Sequence, residues 1–364
     1  MEKRIIKCST SKFVLERGKY FKRRKIGDLP PVYPNGWFGI LESSELAKGQ
    51  VKHVSALGEN FAVFRTQKGK VSIVDAYCPH LGANMAEGAW HCREVNGIIF
   101  VWYHAELSDP EWELEPIPQI SDGSWRFQGR NDFHVSCHIQ DIPENGADWA
   151  HLNAVHGPAK IKKTLPSKII RHSWTGTGWR CHQSSKYIDD FSGNKNQQIV
   201  NDVKLHINNI NINGNNKNNN INNQSKKHCA AINLHHSLVL FEKWSIINMN
   251  VKVEQIGPAY VELFLDTTFG PVCILQTVTP LEPLKQRVTH YVYSPLLLSP
   301  YAKIIFWGES FMFERDIAVW NYKKYQKNPK LVKEDHTISS YRKWFSNFYT
   351  DNSPTYQSTQ SLDW

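Results

Sequence analysis

Residues 144–158, ENGADWAHLNAVHGP, carry three metal-competent side chains at a spacing that dictates the local backbone. Asp148 precedes His151 by three residues, and His156 follows His151 by five. On a helix, Asp148 and His151 share a face. His151 and His156 would stand about 140° apart round an ideal helix. The two imidazoles can therefore meet one ion only if the helix ends or distorts between them, and Gly157-Pro158 supplies such an end. Two imidazoles and one carboxylate on one face of a metal leave positions open for O₂ and substrate, the ligand set of facial-triad Fe(II) sites. A distant carboxylate has to complete the set. Asp316, in the predicted helical stretch FMFERDIAVWNYKKY, is the candidate, with Glu314 as the fallback. The same ligand types also suit zinc. Taken alone, two histidines five apart on a helix are more often ordinary helix residues.

A second metal signal stands upstream. Cys78-Pro79-His80 places a thiolate and an imidazole one residue apart, able to hold one metal or one edge of a cluster. Its complement is missing nearby. His91 and Cys92 are adjacent, so in a strand they point to opposite faces. His134 and Cys137 come in the reverse order, past the expected domain boundary. The seven cysteines are odd in number and irregularly spaced, which argues against a secreted disulfide framework. Cys8, Cys137, Cys181, Cys229 and Cys273 read as buried or idle thiols.

Texture divides the chain. Residues 1–35 read as a basic arm and linker, with KYFKRRK at Lys19–Lys25 as a solvated or membrane-surface run. Residues 36–130 read as a small antiparallel β domain. Its expected strands are Val51–Val54, Phe61–Thr66, Val71–Asp75 and Ile98–His104, with turns at Leu57-Gly58-Glu59 and Lys68-Gly69-Lys70. Residues 131–350 read as an α+β domain, with a strand over 133–139, a helix over 144–155, strands over 237–241, 251–255, 259–266 and 287–293, and helices over 308–327 and 332–348. A tail follows at 351–364. Residues 194–224 are rich in Asn and read as a disordered insertion. The net charge of +9 comes from scattered basic residues, so no nucleic-acid partner is expected. The N-terminus has no apolar core for a signal peptide, and no run of 18 apolar residues suggests a spanning helix.

Taken together, CPHLGA, ENGADWAHLNAVHG and FERDIAVWNYKKY resemble the Rieske-type oxygenases, and more narrowly the cholesterol 7-desaturase (Neverland) family. NGWFGIL, WHCREVNGIIFVWYH and VKEDHTISSYRKWFSNFY extend the resemblance over roughly residues 30–350, without the Asn-rich tract. The resemblance implies an α+β fold: an N-terminal antiparallel β Rieske-like domain, then a helix-grip catalytic domain with a curved antiparallel sheet. It implies a [2Fe–2S] cluster with Cys78 and His80 among its ligands, and a mononuclear Fe(II) held by His151, His156 and Asp316 beside an apolar pocket. Asp148 would be the bridge that brings electrons from the cluster of a neighbouring subunit in a ring-shaped trimer. The implied reaction converts cholesterol to 7-dehydrocholesterol with O₂ and with electrons from NAD(P)H through a separate reductase. The implied location is membrane-associated, at the endoplasmic reticulum, with the cytoplasm open in the absence of a spanning segment.

The family layout places the second cluster half, Cys-x₂-His, about 15–17 residues after the first His. That position falls at Asn96, Gly97 or Ile98, none of which ligates through a thiolate or imidazole. WHCREVNG matches family text downstream of the missing pair. The resemblance thus implies that about forty residues are absent between Gly88 and Trp90. It leaves two expectations for function: a sterol desaturase with an incomplete cluster site, or an inactive sterol-binding relative.

Overall fold

The computed structural model of the chain describes residues 26–77, 89–157, 169–181, 226–332 and 335–360. Short alternating segments at the start form two small antiparallel sheets. β1 (Gly36–Glu42), β7 (Ile98–Tyr103) and β6 (Cys92–Val95) make one, in the order β1-β7-β6. β2 (Val51–Ala56), β3 (Glu59–Arg65), β4 (Val71–Asp75) and β5 (Ala89–Trp90) make the other, in chain order. Leu57 and Gly58 link β2 to β3 with φ of 60° and 78°. Two consecutive left-handed residues give the tight turn whose twist matches a hairpin. β7 reads IIFVWY because every one of its side chains is buried, so it needs no polar face.

A larger sheet of seven antiparallel strands follows, in the order β8-β14-β13-β12-β11-β10-β9. Its strands are β8 (Trp125–Val135), β9 (Ile170–Cys181), β10 (Cys229–Leu240), β11 (Trp244–Ile256), β12 (Tyr260–Thr267), β13 (Gly270–Glu282) and β14 (Lys285–Pro295). The expected change of texture at Asn131 falls inside β8, which pairs with β14 along its length. The connection from β9 to β10 joins neighbouring strands, with Cys181 opposite Ala230. The Asn-rich tract lies in this connection, outside the described residues, as does Lys19–Lys25.

Four helices matter for the site. α1 (Asp141–Ala147) and α2 (Trp149–Val155) replace the single helix expected over 144–155. α3 (Ser299–Trp320) starts nine residues before the predicted 308, with a proline in its first turn where no N–H is needed. α3 packs on β8 and β14. α4 (His336–Phe345) packs on β9 and α1. The architecture is α+β, as the sequence implies.

The small sheets and the large one share a hydrophobic core in which Trp37, Phe38 and Phe100 join Tyr260, Val278 and Tyr293. Hydrogen bonds cross the seam. Thr279 Oγ1 donates to the Gly39 carbonyl at 2.7 Å, Arg287 Nη2 to Ile40 O at 2.7 Å, and Tyr293 OH to Asn96 O at 3.0 Å. Among the described residues no helix is long and apolar enough to cross a membrane.

Candidate metal centre

The helix breaks at Asp148. Its backbone, at φ −87° and ψ 83°, leaves the α region, so the residue ends α1 and caps α2. The carboxylate Oδ1 accepts from the His151 N–H at 3.3 Å, the usual role of an Asp at a helix N-cap. Asp148 and His151 are therefore related as cap and third residue, rather than as neighbours on one helical face. His156 sits just past α2, as its C-cap, and is buried. With the helix ended there, the rings of His151 and His156 come to 5.3 Å, crossed at 79°. The end that the spacing required is present.

α3 supplies the carboxylate. Asp316 is buried and places Oδ1 3.2 Å from His156 Nε2. Ligand atoms of His151, His156 and Asp316 all lie within 4.8 Å of one another. Glu314, the fallback, is exposed on the same helix. Arg315 ties the helix to the site by donating from Nη1 to the Val155 carbonyl at 3.1 Å.

The donor set suits a metal. His151 Nδ1 contacts the carbonyl of Asp148. A carbonyl only accepts, so Nδ1 carries the proton and Nε2 keeps its lone pair. His156 Nδ1 is buried with no hydrogen-bond partner among the described residues, and His156 turns Nε2 to Asp316. Two imidazoles and one carboxylate thus converge, which fits a divalent iron with open positions.

Buried braces hold the two short helices. Glu144 on α1 accepts from Arg342 Nε at 2.6 Å and Nη2 at 2.9 Å, and from Lys323 Nζ at 3.1 Å. Lys323 also pairs with Asp141 at 2.9 Å. Burial alone would raise the Glu144 carboxyl, but Arg342 and Lys323 outweigh it and hold the group below its ordinary value. Thr337 Oγ1 donates to Ala147 O at 2.7 Å. Asn153 brackets Trp174 on β9, donating to its carbonyl and accepting from its N–H at 3.1 Å each. None of these braces stood out in the sequence, because each joins segments distant along the chain.

The cluster half behaves differently. Cys78 and His80 lie outside the described residues. Of the other cysteines, only Cys92 falls between residues 36 and 119. Its Sγ is turned inward, donating to Val71 O at 3.6 Å. Burial raises this thiol above its ordinary value, the opposite of a ligating thiolate. His91 points outward, more than half exposed, and meets Asp109 at 2.9 Å. The two adjacent side chains face opposite ways and do not form a second cluster half.

Two family models match the chain, over ranges that overlap. Residues 36–119 match the model of the Rieske [2Fe-2S] domain, and residues 101–349 match the 3-ketosteroid 9alpha-hydroxylase C-terminal domain. The chain is 37% identical to a protein of Drosophila melanogaster named cholesterol 7-desaturase nvd, over 96% of this chain and 83% of that protein. It is 36% identical to cholesterol 7-desaturase nvd 1 of Ciona intestinalis, over 92% of this chain and 72% of the relative. Among solved structures, dicamba monooxygenase bound to dicamba superposes with a TM-score of 0.55 at 10% identity, over 88% of this chain and 98% of that one. That likeness concerns the fold alone. The Drosophila alignment spans 392 positions, whereas 96% of this chain is about 349 residues, so about 43 positions of the relative face no residue here.

Proposed function

The chain belongs to the cholesterol 7-desaturase family of Rieske-type oxygenases, and from that premise we propose that it acts as a sterol oxidoreductase, removing two hydrogens across C7 and C8 of cholesterol. The observation that carries the reading is the convergence of His151, His156 and Asp316 in a chain of this family. In balance, the sterol gives up two electrons, NAD(P)H supplies two more through a separate reductase, and O₂ leaves as two waters. Iron held by the three residues supplies the O₂ chemistry when bound. The chain's own part is placement. Asp148 fixes the start of α2 and the tautomer of His151, and Asp316 sets the orientation of His156. We assign Asp148 a second task as the electron bridge, in a homo-oligomer of the trimeric kind, and place the enzyme at a membrane surface.

The cluster is another matter. Cys78 and His80 offer one half of a ligand set, and His91 and Cys92 do not offer the other. The reading assigns the unmatched positions of the alignment to the interval between Gly88 and Trp90.

Iron and acid-labile sulfide on protein purified without oxygen test this directly. One iron per chain and no sulfide is expected for the chain as it stands. Insertion of the corresponding Drosophila segment between Gly88 and Trp90 is then expected to bring about two sulfides and formation of 7-dehydrocholesterol with NADPH and an added reductase. A repaired chain that holds cluster and iron but makes no product would overturn the desaturase reading. Tight sterol binding by that same inactive chain would favour a sterol carrier.

A further inference from the structure

A second polar cluster stands beside the metal residues, on β9 and β10. His236 faces Trp174 directly in the strand register. His172 Nδ1 lies 2.8 Å from His236 Nε2, with the two rings stacked at 5.1 Å. The Trp174 ring is 4.3 Å from His236. His236 is 4% exposed, yet among the described residues its Nδ1 has no hydrogen-bond partner, and neither has the buried Nε1 of Trp174. A pair serving only to fill the core would be expected to satisfy its nitrogens within the protein.

The cluster is tied to the metal centre. The His172 N–H donates to the carbonyl of Gly157, the residue after His156, at 2.8 Å. Asn153 on α2 brackets Trp174. Burial pushes His172 down to about 4. Burial, with the neighbouring His172 and His235, pushes His236 down to about 3. The pair is uncharged at neutral pH.

Proton counting then selects the ligand. One N–H lies between the two imidazoles. If His172 donates it, His236 accepts at Nε2 and carries its own proton on Nδ1. If His236 donates it, its Nδ1 is an acceptor. The unpartnered Nδ1 is thus a donor in one tautomer and an acceptor in the other. A hydroxyl can answer both. A ketone answers only the first, and an ion finds no countercharge.

We propose that His236, oriented by His172 and flanked by Trp174, binds the C3 hydroxyl of the sterol. The assignment rests on the sterol reading above. It also accounts for position along the substrate. C3 belongs to ring A and C7 to the adjoining ring B, so an anchor beside the iron site holds ring B, and not the side chain, against the metal.

Equilibrium binding to the full chain tests it, with cholesterol, cholest-5-ene, which lacks the hydroxyl, and cholesterol methyl ether, which can only accept. Cholesterol is expected to bind about tenfold to a hundredfold tighter than cholest-5-ene. His236→Leu should abolish that preference while leaving cholest-5-ene affinity within about twofold, and His236→Gln should restore part of it. Should His236→Leu not fold, judged by near-UV circular dichroism, His172→Phe tests the same loss. Equal binding of cholesterol and cholest-5-ene by the wild type, or an undiminished preference in the folded variant, would overturn the anchor and leave the desaturase reading standing. Failure of the wild type to bind any of the three sterols would overturn both.

Discussion

His156 Nε2 and Asp316 Oδ1 stand 3.2 Å apart, one just past the end of a seven-residue helix and the other deep in a long one. Without a metal this contact is a hydrogen bond; with one, both atoms become ligands. Asp316→Ala is therefore expected to weaken iron binding by more than the ~10–100-fold that loss of a supporting partner costs. Glu314→Ala, on the exposed side of the same helix, should bind iron as the wild type does. Metal analysis after dialysis against graded chelator distinguishes them.

Asp148 has a structural role separable from any electronic one. Its carboxylate caps α2 through the His151 N–H. Asp148→Ala should lower stability by about 1 kcal/mol, whereas Asp148→Asn, another good cap, should stay within a few tenths of wild type. If Asp148 also bridges electron transfer, turnover of a repaired chain falls in both variants while bound iron stays unchanged in the Asn variant. Denaturant melts and iron content read the two roles independently.

Glu144 links stability to pH. Its folded-state carboxyl is held below the unfolded value by Arg342 and Lys323, against the upward push of burial. A lowered folded value means that the stabilisation is complete above the unfolded carboxyl range, near pH 4.3, and is lost as pH falls through the folded value. Glu144→Gln leaves Lys323 and Arg342 short of a countercharge and should cost about 3–5 kcal/mol at pH 7. The gap between wild type and variant should narrow progressively below about pH 4. A gap that is constant from pH 7 to pH 3 would contradict this.

Cys92 tests the incomplete cluster from the other side. Burial raises its thiol, and Sγ already donates to Val71 O. Cys92→Ala should leave the sulfide and iron contents of the repaired chain unchanged. In the native chain the thiol should alkylate slowly at pH 8 and quickly once urea unfolds the protein. A loss of sulfide in Cys92→Ala would show that this residue ligates after all.

Much of this was legible in sequence where the pattern was local. The hairpins of β2, β3 and β4 follow from alternating residues between glycine turns. The helix end that lets His151 and His156 approach was legible in their spacing and the Gly-Pro stop, whereas Asp316 was named only as a candidate on a predicted helix. The break at Asp148 did not show, because a cap and its third residue have the same separation as two neighbours on a helical face. The first half of α3 was hidden because its apolar residues lie on both sides. Ala302 and Phe306 are buried while Ile304 and Trp307 are exposed, which erases the helical period. β13 passed unread because its buried residues run nearly continuously and two prolines, Pro271 and Pro280, interrupt it. The His172–His236 pair was out of reach for another reason: the Asn-rich tract lies between its members along the chain.

Two connections in this molecule join paired strands across segments outside the described residues. Cys181 meets Ala230 across the Asn-rich tract, and Val74 meets Ala89 across residues 78–88. Loop-closure entropy rises by only about 0.6 kcal/mol for each doubling of loop length, so on the reading proposed above a change of length in either connection costs folding little. Codon repeats encoding asparagine can expand in the first without consequence for the sheet. On the same reading, a segment lost from the second leaves the pairing of β4 and β5 in place while it removes cluster ligands. Abundance is then a poor guide to whether a gene of this kind is working, and an allele silent in every assay of expression could be null for sterol conversion.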